Sequence, residues 1–177
     1  MTRRPTTRSH GQLTIRSAAP EEFLDCVRIA HRAWPSFKER NSIYHLFTKY
    51  FADTSLVARV EGRVVGFTLG FVAQSKRGVG YIHLVATDPS AQRRGIAHQL
   101  YLEMFRRFRA LGCRKVRCII NPENTRSLSF HDGMGFRPEH SGPRIRLRGV
   151  WATRDYNGKG IHMVEMTRGL RGAGTTG

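Results

Sequence analysis

The segment Tyr81–Leu111, YIHLVATDPSAQRRGIAHQLYLEMFRRFRAL, decides how the rest of the chain is read. Apolar, aromatic and β-branched residues run from Tyr81 to Val85, the pattern of a buried strand. Thr87, Asp88, Pro89 and Ser90 break that run. A long amphipathic helix follows, with Ile96, Leu100, Phe105 and Phe108 on or near one face and Arg106, Arg107 and Arg109 largely on others. At the junction stands Gln92-Arg93-Arg94-Gly95-Ile96-Ala97, a Q-x-x-G-x-A pattern at the predicted start of the helix.

A helix N-terminus carries backbone N–H groups without partners and a partial positive charge, which suits a phosphate. Gly95 and Ala97 lack bulky side chains, so a pyrophosphate can approach the backbone. Arg93 and Arg94 add positive charge at the rim. Taken by themselves, the six residues also fit an ordinary β-α turn with a glycine near its start.

Val85-x-x-Asp88-Pro89-x-x-Gln92-Arg93-Arg94-Gly95-Ile96-Ala97 followed by an amphipathic helix resembles the acyl-CoA pyrophosphate loop of the Gcn5-related N-acetyltransferases, the GNAT family. Downstream, residues 121–136 (NPENTRSLSFHDGMGF) resemble the family's N-x-x-A-x-x-F-Y-x-x-x-G-F segment. The two matches come in the family's order with a strand-like segment between them, and the resemblance covers roughly residues 12–168. It implies an α/β (α+β) fold with a mixed, mostly antiparallel central sheet of six to seven strands, flanked on both faces by about four helices. It implies acetyl-CoA, or another acyl-CoA, as cosubstrate and a primary amine as acceptor, with no metal. The backbone of Leu84, Val85, Ala86 and Thr87 matches the stretch that polarises the thioester. Gln92 to Ala97 match the pyrophosphate loop, and Asn124, Ser127 and His131 match the contacts along the pantetheine arm. The chain departs from the family at one position, since His131 stands where the acid for the leaving thiol is usually Tyr. An imidazolium there could protonate the sulfur; a half-exposed helix residue with no such role is the competing account. Asn124 is equally suited to capping the helix that follows it.

Composition bounds the remainder. The chain has 177 residues, enough for one domain with a real core; the expected domain is 12–168, between a basic tail (1–11) and a flexible tail (169–177). No apolar run reaches the length of a membrane span, and the basic N-terminal residues lack the apolar stretch of a secretory signal. Cys26, Cys113 and Cys118 show no metal spacing and read as reduced thiols of a cytoplasmic protein. The net charge is +17, with 30 Lys+Arg against 13 Asp+Glu, and 25 of the basic residues are Arg. Genomic codon bias explains this without any function. The rival account is a surface for a polyanion, and with it a GNAT-fold transferase acting on or with aminoacyl-tRNA through Arg106, Arg107, Arg109, Arg114 and Arg117. A non-catalytic, CoA-sensing module is a third account. Late strands in the family often pair across dimers, so a homodimer is compatible with the resemblance.

In chain order, residues 12–16 read as a strand and Pro20 to Ala33 as a helix stopped by Trp34-Pro35. A second helix is expected from about Asn41 to Ala52. In the family this helical region lines the acceptor pocket, so Trp34, Tyr44 and Tyr50, with His45, are candidate acceptor contacts; core or lid aromatics are the alternative. Ser55–Val60 and Arg63–Gln74 read as strands joined by a turn at Glu61-Gly62, with Gly66 and Gly70 marking a bulge or a close backbone approach. Lys115–Ile120 is a strand, Asn124 to Gly133 a short helix, and Arg144–Val150 and Gly160–Thr167 two more strands. His83 is the candidate base that takes the proton of the amine, read as facing the same way as Val85 two residues on; a satisfied core histidine is the alternative. Glu165 and His162 are further candidates for that role.

Overall fold

The computed structural model describes residues 12–34 and 43–170. Seven strands form one sheet in the order β1-β2-β3-β4-β5-β9-β6: β1 Leu13–Ser17, β2 Ser55–Val60, β3 Arg63–Val72, β4 Val79–Thr87, β5 Lys115–Ile120, β6 Arg137–Glu139 and β9 Val164–Gly169. Every neighbouring pair is antiparallel except β4 and β5. β7 Arg144–Leu147 and β8 Val150–Thr153 make a separate hairpin. The helices are α1 Phe23–Ala33, α2 Leu46–Tyr50, α3 Ile96–Ala110 and α4 Thr125–Gly133. This is the mixed, mostly antiparallel sheet with four helices that the motifs imply.

Period-two alternation in the strands splits the core into two layers. Leu56, Ala58, Ile82, Val116, Cys118 and Ile120 turn toward α3, whose Leu100, Tyr101, Met104, Phe105 and Phe108 are buried against them. Val57, Phe67, Leu69 and Ala86 turn the other way, onto Ile29 and Ala30 of α1 and Phe47 of α2. The seat of α3 is cut by three glycines. A Cβ on Gly66 would stand 3.0 Å from Ile96, one on Gly70 would stand 2.6 Å from the Tyr81 carbonyl, and one on Gly80 would stand 2.6 Å from the Phe108 ring. The glycines at 66 and 70 thus mark the close approach expected of them. The long helix is held at its far end by Arg107, which donates to Ser17 Oγ at 2.7 Å and pairs with Glu103 at 2.9 Å. The hydrogen bond from Arg106, joined by that from Arg107, holds the Glu103 carboxyl down to about 2.

Several expected boundaries shift. The expected strand Arg144–Val150 is a hairpin instead, because Arg148 and Gly149 both adopt positive φ (47° and 85°) and reverse the chain between β7 and β8. An arginine in that conformation carries no turn signal. Arg137–Glu139 was not expected as a strand; it pairs with β9. β9 begins at Val164 rather than Gly160, runs to Gly169, and is followed by the buried Leu170, so the folded segment passes the expected boundary at 168. α2 spans five residues inside the expected 41–52, of which 41 and 42 lie outside the described residues, as do the expected tail 1–11 and residues 171–177 of the expected tail 169–177. Glu61 and Gly62 turn as read, with φ of 50° and 75°.

One further correction concerns the reaction site. The β3–β4 register slips between Leu69 and Gly70, which pair with Leu84 and Ile82, leaving His83 as the extra residue of a β-bulge. His83 and Val85 therefore do not share a face. Val85 packs into the α3 layer, while His83 stacks on Phe47 in the opposite one, at 5.0 Å between ring centres.

Because Phe108 fills the space beside the Gly80 Cα, Gly80→Ala should overpack the α3 seat and destabilise the protein by about 1–3 kcal/mol, measurable by urea denaturation.

Candidate active site

β4 and β5 pair over three rungs only, from Val79↔Lys115 to Tyr81↔Arg117. Beyond that fork each strand continues with its other neighbour, β4 with β3 as far as Thr87 and β5 with β9 as far as Ile120. The two strands therefore part, and Leu84, Val85, Ala86 and Thr87 lie on the open side of a wedge. Backbone N–H and C=O groups are obligatory hydrogen-bonding groups, so such an edge is a site for a polar ligand. The Thr87 hydroxyl is buried with no hydrogen-bond partner among the described residues.

The elbow after β4 is rigidly built. Asp88 is buried; its amide donates to the Val65 carbonyl at 2.8 Å and its Oδ1 accepts from the Ser90 amide at 2.9 Å and the Ser90 hydroxyl at 2.6 Å. Oδ2 accepts from Arg32 of α1 at 2.9 Å. Burial by itself would raise this carboxyl, but the Ser90 bonds and Arg32 outweigh it and hold it below the usual carboxylate range. Arg93 and Gly95 then take left-handed backbone conformations, φ 63° and 71°, and α3 starts without a side-chain cap. Alternating left-handed residues turn successive amides inward, as in anion-binding nests. Nothing lies within 4 Å of where a Gly95 Cβ would stand, so the face over these amides is open; Arg93 and Arg94 flank it, both exposed. Gln92 Oε1 accepts from Arg126 of α4 at 3.1 Å, so the two sequence motifs meet at the mouth of the wedge.

Asn124 is exposed and caps α4, its Oδ1 accepting from the Ser127 amide at 3.0 Å, which leaves its amide nitrogen for a ligand. His131 is buried rather than half-exposed, walled by Tyr101, Phe130 and Phe136. Its Nδ1 lies 2.7 Å from the Ser127 carbonyl and 3.3 Å from the Ser127 hydroxyl; its Nε2 lies 2.8 Å from the Tyr101 hydroxyl. A carbonyl only accepts, which assigns the proton to Nδ1 and makes Nε2 the acceptor of the Tyr101 O–H. Desolvation lowers the His131 pKa, against a smaller upward push from Ser127. As an acid for a leaving thiolate His131 is poorly placed, since both nitrogens are engaged and the ring is held neutral.

On the α2 side of the sheet, His83 lines a pocket of about 550 Å³ with Tyr44, Leu46, Phe47, Phe51 and Phe71. Of the candidate acceptor contacts only Tyr44 is in that lining; Trp34 packs against the α1 layer, and Tyr50 points to solvent, 79% exposed. His45 stacks on Phe23. Glu165 lies by a second, smaller cavity at the fork, and His162 instead accepts from the Asp155 amide. Asp88 was read only as a strand breaker and a motif residue, with no partners assigned, and Arg32 and Phe71 were not singled out by sequence. An Asp-Pro pair before a helix is a signal for a structured elbow; Arg32, 56 residues away, carried none.

Of the arginines considered for a polyanion surface, Arg106 and Arg107 share Glu103, and Arg117 pairs with Glu139. Among the described residues no group of His, Cys, Asp or Glu could hold a metal ion, no helix is long and apolar enough to cross a membrane, and the three cysteines are free and buried.

A wedge between parallel strands with a nest of amides at its mouth defines a class of acyl-carrier-binding folds, and comparison with known proteins gives the family. Residues 23–136 match the model of the acetyltransferase (GNAT) family, and the chain belongs to that family. It is similar to the L-2,4-diaminobutyric acid acetyltransferase of Nocardia farcinica, 29% identical over 120 residues; the match covers 68% of this chain and 62% of that protein, less than two thirds of the relative's length. In fold it resembles Ard1 from Thermoplasma volcanium, with a TM-score of 0.72, 22% identity, and coverage of 90% of this chain and 99% of that one. It also resembles a diaminobutyrate acetyltransferase from Paenibacillus lautus solved with L-2,4-diaminobutyric acid and coenzyme A, with a TM-score of 0.62, 18% identity, and coverage of 92% and 98%.

A neutral, buried His131 has a consequence for stability. The unfolded chain takes up the proton first as pH falls, so the stability associated with the neutral ring is complete above the ordinary value of 6.5 and is lost as pH drops below it. His131→Gln should flatten the dependence of the melting temperature on pH between about 7 and 5.

Proposed function

We propose that this chain transfers an acetyl group from acetyl-CoA to a primary amine of a small molecule or peptide by direct attack on the thioester. The observation that carries the reading is the parting of β4 from β5 beside an uncapped α3 N-terminus with left-handed residues at 93 and 95. Acetyl-CoA supplies an acyl carbon activated by its bond to sulfur. The amides of residues 93–97, with Arg93 and Arg94, receive the diphosphate. The Asn124 amide nitrogen and Ser127 receive the pantetheine arm, and the β4 backbone over residues 84–87 receives the thioester oxygen, stabilising the charge that develops there.

The amine enters from the opposite side of the sheet, where the pocket beside His83 opens. The amine nitrogen bonds to the acyl carbon, the carbon–sulfur bond breaks, the sulfur leaves as thiolate, and the ammonium proton passes to His83, directly or through a water. His83 lines this pocket at the bulge and Phe47 fixes its ring by stacking, which suits a proton acceptor. The leaving thiolate is a weak enough base to depart without His131 as donor, and His131 serves instead to fix Tyr101 and the α3–α4 contact. The acceptor named for the curated relatives, L-2,4-diaminobutyric acid, is the first amine to test.

Purified protein should bind CoA, seen as calorimetric heat and a raised melting temperature; an absence of both would remove the reading. Replacing Arg93 and Arg94 together by Ala should weaken CoA roughly tenfold. His83→Ala should lower turnover on the order of a hundredfold at neutral pH, leave CoA affinity unchanged, and change the shape of the pH–rate profile. An unaltered profile would assign the proton to another acceptor.

A further inference from the structure

A second cavity, of about 210 Å³, sits at the fork itself. Tyr81 and Arg117, the last paired rung of β4 and β5, line it together with Lys76, Glu139, Tyr156 and Glu165. It adjoins the larger acceptor pocket: Ala73 lines both, and Tyr81 stacks at 5.2 Å on Phe71, which belongs to the larger one.

Its most singular group is Glu165. The side chain is buried, and one oxygen is fully used: Oε1 accepts from the Thr153 hydroxyl at 2.6 Å, the Ser141 hydroxyl at 2.8 Å and the Ser141 amide at 2.9 Å. These bonds fix the carboxylate plane. The other oxygen, Oε2, has no hydrogen-bond partner among the described residues. Burial acts to raise this carboxyl, but the Thr153 and Ser141 bonds and the nearby Arg117 more than offset it, so the group stays ionised. Arg117 on the facing wall pairs with Glu139 through Nη2, while its buried Nε has no hydrogen-bond partner among the described residues. A fixed carboxylate with one free oxygen, beside the rings of Tyr81 and Tyr156, is the chemistry that receives an ammonium group.

We propose that the fork cavity is a subsite for a second, non-reacting cationic nitrogen of the acceptor, with Glu165 as its counter-ion. The inference rests on the transfer reading above for the identity of the other nitrogen. The two cavities adjoin at Ala73, with Tyr81 stacked on Phe71 between them, so an acceptor that reaches both carries its second nitrogen on a short chain. The acceptor is thus a small diamine or a diamino acid rather than a simple alkylamine. Glu165 is a specificity residue that neither forms nor breaks a bond.

The test compares 1,4-diaminobutane with n-butylamine at constant ionic strength, using acetyl-CoA and either the parent protein or Glu165→Gln, which retains an oxygen for Ser141 and Thr153 but loses the charge. The parent should favour the diamine at least about tenfold in kcat/KM through KM, and Glu165→Gln should treat the two amines alike with kcat little changed. No preference in the parent, or a preference that survives in Glu165→Gln, overturns the subsite. Calorimetry of 1,4-diaminobutane on the protein with CoA separates this from the transfer reading. Binding by the parent that Glu165→Gln abolishes upholds the subsite even where no amine is turned over, and absence of binding by the parent overturns it. Should Glu165→Gln fail to fold, the parent's preference decides by itself.

Discussion

The hydrogen bonds that β4 does not make to β5 are the constraint around which the molecule is arranged. An unpaired strand edge inside a sheet is costly unless something fills it, and a parted pair would close if nothing held it open. Here both strands are anchored on their outer sides. β3 pairs with β4 along its whole length, and β9, backed by β6, does the same for β5. The bulge at His83 adds a residue to β4 just past the fork, sharpening the local twist where the strands separate. The sheet is thus continuous on both sides of the opening.

The packing beneath the opening explains why the helix that starts at its mouth is so firmly placed. Gly66, Gly70 and Gly80 lower the sheet surface under α3, and Ile96 and Phe108 occupy the space released. The elbow ahead of the helix is fixed independently by Asp88, which gathers Ser90, the Val65 carbonyl and Arg32 around one residue. Arg32 comes from α1, whose Ile29 and Ala30 pack on the face of the sheet opposite α3. A single buried carboxylate therefore ties the elbow ahead of α3 to the other core layer.

Much of this architecture is legible in the linear chain because the signals are local. The strand Lys115–Ile120, the turn at Glu61-Gly62, the glycines under α3 and the amides after Gln92 all follow from neighbours within a few residues. What was not legible is long-range or carried by residues without a signal. The bulge reverses His83 relative to Val85, and only the pairing register with β3 shows it. The burial of His131 depends on Tyr101, thirty positions earlier in the chain. The hairpin at Arg148-Gly149 rests on an arginine in a conformation that favours glycine. The surroundings of His83 were the least legible: Tyr44 lines the pocket, but Trp34 and Tyr50 do not, because Trp34 ends α1, Tyr44 stands ahead of α2 and Tyr50 closes it, so no single helical period relates the three rings.

The contact between Tyr101 and His131 bears on how this chain can change. Here α4 carries an imidazole and α3 supplies a phenol, with the two groups joined in a buried interior. The position cannot be exchanged singly. A tyrosine introduced at 131 would bring a second ring and a second hydroxyl into space already filled by the first, and the Ser127 carbonyl would lose the bond it accepts from the imidazole. Positions 101 and 131 therefore behave as one packing unit, and a change at either is felt at the other.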